Sequence, residues 1–379
     1  MRTEDLAMHT VTFYPIGNAD SCLIELENNR NIVFDFADVA AKNDENEKRI
    51  DLEKALRDAL DTAGRDDVDT LALSHLDRDH INRVSEVFEF DHADKYQGGD
   101  RIKVTTLWAP AAALLEKNPS EEGRIIRQEL RHRLKNDYGV QIFSRPRALD
   151  DWMRGEGIDP DTRRHRITDA GQLAPGFSLA DDGVEFFVHS PFAERCDDGG
   201  LIERNEAGLF MQATFDVGGR TTRLILAADC GYEVIEGIIR QTRRRKNHDR
   251  LLWDINNIPH HCSYKSLAAE KGTTKTDPAE PTRWLYETQG QPGGALVSTS
   301  CPIPTDDTDQ PPHRQAAAYY RDVAKLKSGP FLVSMEEPST AKPEPLVFKI
   351  DGLGVTRKRA ILTSTGAAVG DAAPRAGIR

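Results

Sequence analysis

Six consecutive residues, His75-Leu76-Asp77-Arg78-Asp79-His80, put two imidazoles and two carboxylates into one short window. Imidazole nitrogens and carboxylate oxygens are the usual donors to zinc and to harder divalent cations. Groups this close on a tight loop can converge on one or two such ions without help from distant sequence. The alternative is a solvated acidic loop that contains histidine by chance, and the spacing favours the metal. Two further strand ends carry histidine: Pro259-His260-His261-Cys262-Ser263, and His189-Ser190-Pro191, where a structural role is expected.

The elements around the window agree with a site. Residues 68–74 read as a short buried strand that runs straight into His75, and residues 82–90 read as helical. Strand, polar loop, helix is the arrangement in which α/β proteins place chemistry. Before it, residues 9–16, 21–27 and 31–36 predict an antiparallel meander, and Leu52, Leu56, Ala59 and Leu60 recur at helical spacing over 51–63. Residues 91–183 loosen into what reads as an insert, a lid or recognition element, with a strand at 103–108 and helices at 111–117 and 120–138. Strands resume at 184–189, 209–216 and 221–228, the last two joined by the hairpin signal Val217-Gly218-Gly219-Arg220. A helix over 232–245, strands at 251–258 and 295–300, a helix over 313–327 and short strands near Phe331 and Leu346 complete the pattern. The organisation expected is one domain over 1–362, elaborated from about 275, with a disordered tail at 363–379.

Composition narrows the class. The chain has 379 residues, of which 38% are hydrophobic and 30% charged, enough for a sizeable core and unlike collagen or a disulfide scaffold. Leu224-Ile225-Leu226-Ala227-Ala228 is among its longest apolar runs, far short of the roughly 18 residues a membrane span needs. No membrane partner is expected. No apolar stretch follows Arg2, so no secretory signal is visible, and five scattered cysteines suit reduced thiols; a cytoplasmic protein is expected. Net charge is −12, which opposes nonspecific coating of nucleic acid but not a nuclease with a local cationic groove. Basic clusters at 124–133, 163–166 and 240–246 are first solvated faces; the two in the insert could line a phosphate track.

The window resembles the H-x-H-x-D-H signature of the metallo-β-lactamase fold, in the variant whose second His is Asp. The resemblance extends to Gly17-Asn18-Ala19-Asp20-Ser21 (G-x-G-D-A/S), Phe34-Asp35-Phe36-Ala37, Leu226-Ala227-Ala228-Asp229, and Pro259 to Ser263 (H-H-G-S). It covers about residues 9–265 outside the insert and is similar to the ComEC-type hydrolase domain and to phosphorylcholine esterases. It implies an αβ/βα sandwich of two mixed sheets flanked by helices. It also implies two divalent ions, Zn or Mn, with His75 and Asp77 on the first, Asp79, His80 and His261 on the second, and Asp229 bridging. Asp79 and His260 would be the catalytic residues, Asp79 accepting a hydrogen bond from the attacking water and His260 protonating the leaving group. Alternatively His260 would be the ligand, with His261 supporting it. Asp35 would orient a ligand, and Asn205 is the nearest analogue of the family's missing third-motif histidine. The extra Asp hardens the donor set towards manganese. Asn18, Ala37, Ala228 and Cys262 stand where the family usually has Gly (or, at the first, Gln), small-for-small changes expected to cost little strain.

The implied function is a dinuclear hydrolase of phosphodiesters, foremost a nuclease, with nucleic acid as substrate partner. A regulatory protein partner, as in a bacterial defence system, is a further expectation. Hydrolysis of a small phosphodiester, ester or amide, and a scaffold with a degraded site, are the alternatives.

Overall fold

The computed structural model describes residues 8–41, 44–193 and 204–358; the expected tail at 363–379 lies outside them. Strands β1 (His9–Phe13), β2 (Cys22–Glu25), β3 (Asn31–Phe34), β4 (Asp67–Ala72), β5 (Lys103–Pro110), β6 (Val140–Phe143) and β7 (Ile167–Thr168) come first. Then follow β8 (Val184–Ser190), β9 (Phe210–Val217), β10 (Arg220–Ala227), β11 (Trp253–Asn257), β12 (Gly290–Ser298) and β13 (Phe331–Val333), and last β14 (Leu346–Asp351) and β15 (Gly354–Lys358). They form a nine-stranded sheet, β15-β14-β1-β2-β3-β4-β5-β6-β7, and a six-stranded sheet, β13-β12-β11-β10-β9-β8. Both are mixed. The meander β1-β2-β3 is antiparallel, β3 through β7 pair in parallel, and in the second sheet β10 through β13 are parallel.

Strands buried on both faces read as continuous apolar runs, and alternate residues serve different layers. In the meander Val11, Phe13, Ile24 and Phe34 face the second sheet, while Leu23 and Val33 pack under the outer helices. Trp108 sits between the sheets with Phe143, Phe177 and Phe186 edge-on around it. Helix Leu52–Ala63 buries Leu52, Leu56 and Leu60, is capped by Asp51 through the Lys54 amide, and ends at Gly64 in the left-handed region. Helices Tyr232–Arg244 and Arg314–Lys327 cover the outer face of the second sheet. The architecture is the αβ/βα sandwich expected. Among the described residues no helix is long and apolar enough to cross a membrane.

Residues 91–183 are not a lid. They supply β5, β6 and β7, which extend the parallel half of the large sheet, and helices Ala111–Leu115, Glu121–Asn136 and Arg147–Gly155. Strands of four and two residues are too short for a periodicity to register, and helix Arg147–Gly155 buries only Leu149 and Met153 in a charged stretch. Five arginines of this segment's basic clusters serve the framework. Arg127 donates to the carbonyls of Glu116 and Lys117, Arg131 to Leu114, and Arg163 to Leu134 and Lys135, satisfying the open carbonyls at helix C-termini. Arg133 is buried against Glu129, and Arg166 pairs with Asp137.

Candidate metal centre

The chemistry-bearing residues meet at the carboxyl ends of strands from both sheets, the position that open α/β sheets reserve for ligands. Asp35 follows β3, Ser74 and His75 follow β4, Asp229 follows β10, His260 and His261 follow β11, and Asp20 lies in the turn from β1 to β2. Backbone hydrogen bonds lock the loops together: the Asp20 amide donates to the Asp79 carbonyl at 2.9 Å, and the Phe36 amide to the His80 carbonyl at 3.0 Å.

One donor atom each from Asp20, His80, Asp229 and His261, all buried, lies within 4.8 Å of the others. His80 Nε2 is 3.4 Å from Asp229 Oδ1 and 3.7 Å from Asp20 Oδ2. His261 Nε2 is 3.1 Å from Asp79 Oδ2 and 3.8 Å from Asp229 Oδ2. Beside them His75 Nε2 lies 3.4 Å from Asp77 Oδ2, and the His75 and His80 rings are 4.0 Å apart. Each inner imidazole is oriented from behind. Asp35 Oδ2 is 2.8 Å from His80 Nδ1, and the Thr299 carbonyl is 2.8 Å from His261 Nδ1, which leaves both Nε2 atoms facing the cluster. Asp35 is itself fixed by the Ser74 amide and hydroxyl, both at 2.6 Å. His260 stands at the rim, its side chain 23% exposed and its Nε2 3.8 Å from Asp229 Oδ2. Asn205 has a shielded Oδ1 without a hydrogen-bond partner and joins none of the cluster's hydrogen bonds among the described residues. His189 is structural, held by the Arg250 carbonyl and Thr242.

Sequence reading passed over two groups. Asp20 was visible in its turn but had no role; it accepts a hydrogen bond from the Thr299 hydroxyl and faces His80 and His261. Arg204 donates to Asp77 Oδ1 and to Glu116. Asp20 makes a fourth carboxylate beside Asp77, Asp79 and Asp229, so a centre with two divalent ions would carry about zero charge, and the charge of Arg204 is shared between Asp77 and Glu116. One expectation of low strain needs correction. His260, His261 and Cys262 have φ of 53°, 50° and 66°, so Cys262 stands in the left-handed region, where a side chain costs about 1 kcal/mol relative to glycine. Asn18, Ala37 and Ala228 have no such backbone; a Cβ on Gly208 would meet the Ala228 methyl at 2.7 Å, so the opposing glycine makes room.

The donor set fits divalent cations. His75 Nε2, His80 Nε2 and Asp229 Oδ1 are buried without a hydrogen-bond partner, an arrangement that costs stability unless something else satisfies them. Donors at about 2.1 Å around a tetrahedral ion stand about 3.4 Å apart, close to the separations here. Electrostatics agree. Burial works against charge on His80, but Asp229 and Asp35 override it and raise its pKa well above the ordinary value. Burial likewise opposes charge on His261, yet Asp229, Asp79 and Asp20 push it up to about 9. Burial would raise Asp229, and His261 and His80 instead hold it well below the carboxylate range. Burial dominates at Asp20 and raises it. A cation must displace protons from these imidazoles, so metal uptake is expected to release protons and to tighten as pH rises towards about 9. Titration calorimetry in buffers of different ionisation heat checks this; pH-independent affinity between pH 6 and 9 is the contrary result. In metal-free protein the same shift has the opposite sense. The stabilisation from His261 is complete below its ordinary value of 6.5 and is lost as pH rises through about 9.

No protein-family model matches the chain, and neither does any curated protein. Among solved structures it is similar to the metallo-β-lactamase SMB-1 bound to 2-mercaptoethanesulfonate, at 11% identity over 65% of this chain and 78% of that one, with a TM-score of 0.30. It is also similar to the class B3 di-zinc metallo-β-lactamase LRA-12 from an Alaskan soil metagenome, at 12% identity over 72% and 85% of the two chains, with a TM-score of 0.30. A third similar structure is the metallo-β-lactamase GOB-18 from Elizabethkingia meningoseptica, at 11% identity over 84% and 89%, with a TM-score of 0.29. Likenesses this loose leave the fold to rest on its own strand order and the site on its own geometry.

Proposed function

We propose that the chain is a metal-dependent hydrolase of phosphodiesters. The observation that carries this reading is the buried convergence of Asp20, His80, Asp229 and His261 at the strand ends of both sheets, with imidazole and carboxylate atoms left unpartnered. Asp20, Asp79, His80, Asp229 and His261 would hold one divalent cation, Zn or Mn, and His75 with Asp77 would begin the position for a second. When bound, such cations supply Lewis-acid neutralisation of the charge that develops on a phosphoryl oxygen and lower the pKa of water. The carboxylate-rich donor set favours a hard ion over a soft one.

The chain's own groups do the rest. Asp35 and the Thr299 carbonyl hold His80 and His261 with Nε2 inward. Asp79, with 37% of its side chain exposed, is placed to accept a hydrogen bond from an attacking water at the rim. His260 is partly exposed at the rim, its Nε2 3.8 Å from Asp229 Oδ2. Burial lowers its pKa, so at neutral pH it offers a leaving oxygen an N–H of neutral imidazole rather than of imidazolium. His260→Gln is expected to slow turnover about 10²-fold with metal content unchanged, and to hurt less with a good leaving group. Loss of metal in that variant would instead make His260 the ligand.

Nucleic acid is the first substrate to test, as the sequence motif suggests. A second reading, a small phosphodiester, is favoured by the commitment of Arg127, Arg131, Arg133, Arg163 and Arg166 to the framework. The remaining cluster also sits at the far end of helix Tyr232–Arg244, roughly 20 Å from the end beside Asp229. Neutralising a long backbone requires a continuous basic track. The test is hydrolysis of end-labelled single- and double-stranded DNA and RNA, of bis(p-nitrophenyl) phosphate and of p-nitrophenyl acetate, in Mn²⁺ or Zn²⁺, with Asp79→Ala as control. Cutting of nucleic acid by wild type alone supports the nuclease. Turnover of the chromogenic diester alone supports the small substrate. Turnover of the acetate alone, or protein that binds no metal, overturns the proposal.

A further inference from the structure

We infer that Arg204 competes with a cation for Asp77, so that the two halves of the centre load unequally. The inference rests on the metal-centre reading above. Asp77 has two oxygens with different duties. Oδ2 lies 3.4 Å from His75 Nε2, where a shared cation would sit, while Oδ1 accepts a hydrogen bond from Arg204 Nη1. The same guanidinium reaches Glu116 through Nε at 3.1 Å and through Nη2 at 2.5 Å. Glu116 directly follows helix Ala111–Leu115, so the clamp ties the turn Arg204–Glu206 to the framework of the large sheet.

The other half of the centre is built differently. Asp20, His80, Asp229 and His261 are buried, their donor atoms lie within 4.8 Å of one another, and among the described residues none of them pairs with an arginine or lysine. That half has only a metal to offset its carboxylates beyond its own imidazoles. At His75 and Asp77 the offsetting charge is already supplied by the chain. A divalent ion arriving there meets two protein donors, a carboxylate already engaged, and a fixed positive charge a few ångströms away. Arginine is suited to this role because its planar fork stays charged at all working pH values and can bridge two carboxylates at once, whereas lysine presents a single point charge.

The experiment is calorimetric titration of Mn²⁺, and separately Zn²⁺, into the metal-stripped full chain at moderate salt, for wild type, Arg204→Met and Arg204→Lys. Thermal unfolding confirms that each protein is folded. Wild type is expected to take one equivalent tightly and a second at least about tenfold more weakly. Arg204→Met should tighten the second step by about tenfold and leave the first unchanged, with Arg204→Lys between them. A second step that weakens or stays the same in Arg204→Met overturns the inference, because Arg204 would then be positioning Asp77 for metal or be a bystander. Two equivalents of indistinguishable affinity in wild type overturn it as well, while leaving the metal reading intact. If wild type fails to bind even the first equivalent, the metal reading falls and the competition with it. Should Arg204→Met fail to fold, the Arg204→Lys titration carries the same test in the same direction.

Discussion

Asp229→Asn is expected to purify without tightly bound metal and to lose the proposed hydrolytic activity by at least roughly 10²–10³-fold. Asp229 is the residue on which the cluster closes: its Oδ1 lies 3.4 Å from His80 Nε2 and its Oδ2 3.8 Å from the Nε2 atoms of both His261 and His260. Asparagine keeps the volume and removes the charge, so packing is preserved while the centre loses the carboxylate that faces three imidazoles. The variant should remain folded at neutral pH, and its metal content, read by elemental analysis after gel filtration, should fall well below one ion per chain. Wild-type metal content with full activity would remove Asp229 from the centre. Asp79→Ala, at the more open rim, is expected to lose activity as well while leaving the fold largely intact, and retained activity there would exclude Asp79 from catalysis.

Asp35→Ala is expected to destabilise the metal-free protein by about 3–5 kcal/mol, the range for breaking a buried charged pair by removing one partner. The carboxylate is almost wholly buried and bonds to three donors or ring atoms, the Ser74 amide, the Ser74 hydroxyl and His80 Nδ1. Alanine would take this partner from all three, leaving the Ser74 hydroxyl with only its contacts to His75 Nδ1 at 3.0 Å and His80 Nδ1 at 3.3 Å. It would also occupy a backbone position with φ of 57°, which aspartate and asparagine tolerate better than alanine. Asp35→Asn keeps one acceptor oxygen and the backbone preference, so its cost should be about half as large. Urea unfolding of stripped protein separates the two. A loss under about 1 kcal/mol for Asp35→Ala would mean that the bonds seen here contribute little. Because Asp35 supports His80 from behind, the same variant should weaken metal binding by about 10–100-fold.

These expectations draw on both levels of information, and the division between them is physical. Whatever depends on a few neighbouring residues was legible in the chain. The run from β4 into His75-Leu76-Asp77-Arg78-Asp79-His80, the hairpin between β9 and β10, the helix with Leu52, Leu56 and Leu60 inward, and Asp229 and His261 at strand ends are all local patterns. Buried parallel strands need apolar runs, and chemistry placed at their carboxyl ends leaves a polar signature immediately after each run. Where the local signal was thin, the reading went astray. β6 and β7 span four and two residues, so the segment that carries them reads as an insert, a lid or recognition element, although it extends the large sheet.

What no local pattern holds is which ends meet. His261 and Asp79 are 182 positions apart, Arg204 and Asp77 127, and Thr299 and Asp20 279. Sheet register and the face-to-face packing of two sheets decide those distances. They bring Asp20 into the cluster, place His261 inside and His260 at the rim, and hand Asp77 to an arginine. They also turn arginines that looked like a phosphate track into caps for helix carbonyls. The sequence by itself determined the donors and the strands that bear them, because residue type and short-range periodicity are local. Only the tertiary structure decided which donors share one small volume and which charges are already offset, because Coulomb and hydrogen-bond energies depend on distance in space rather than along the chain.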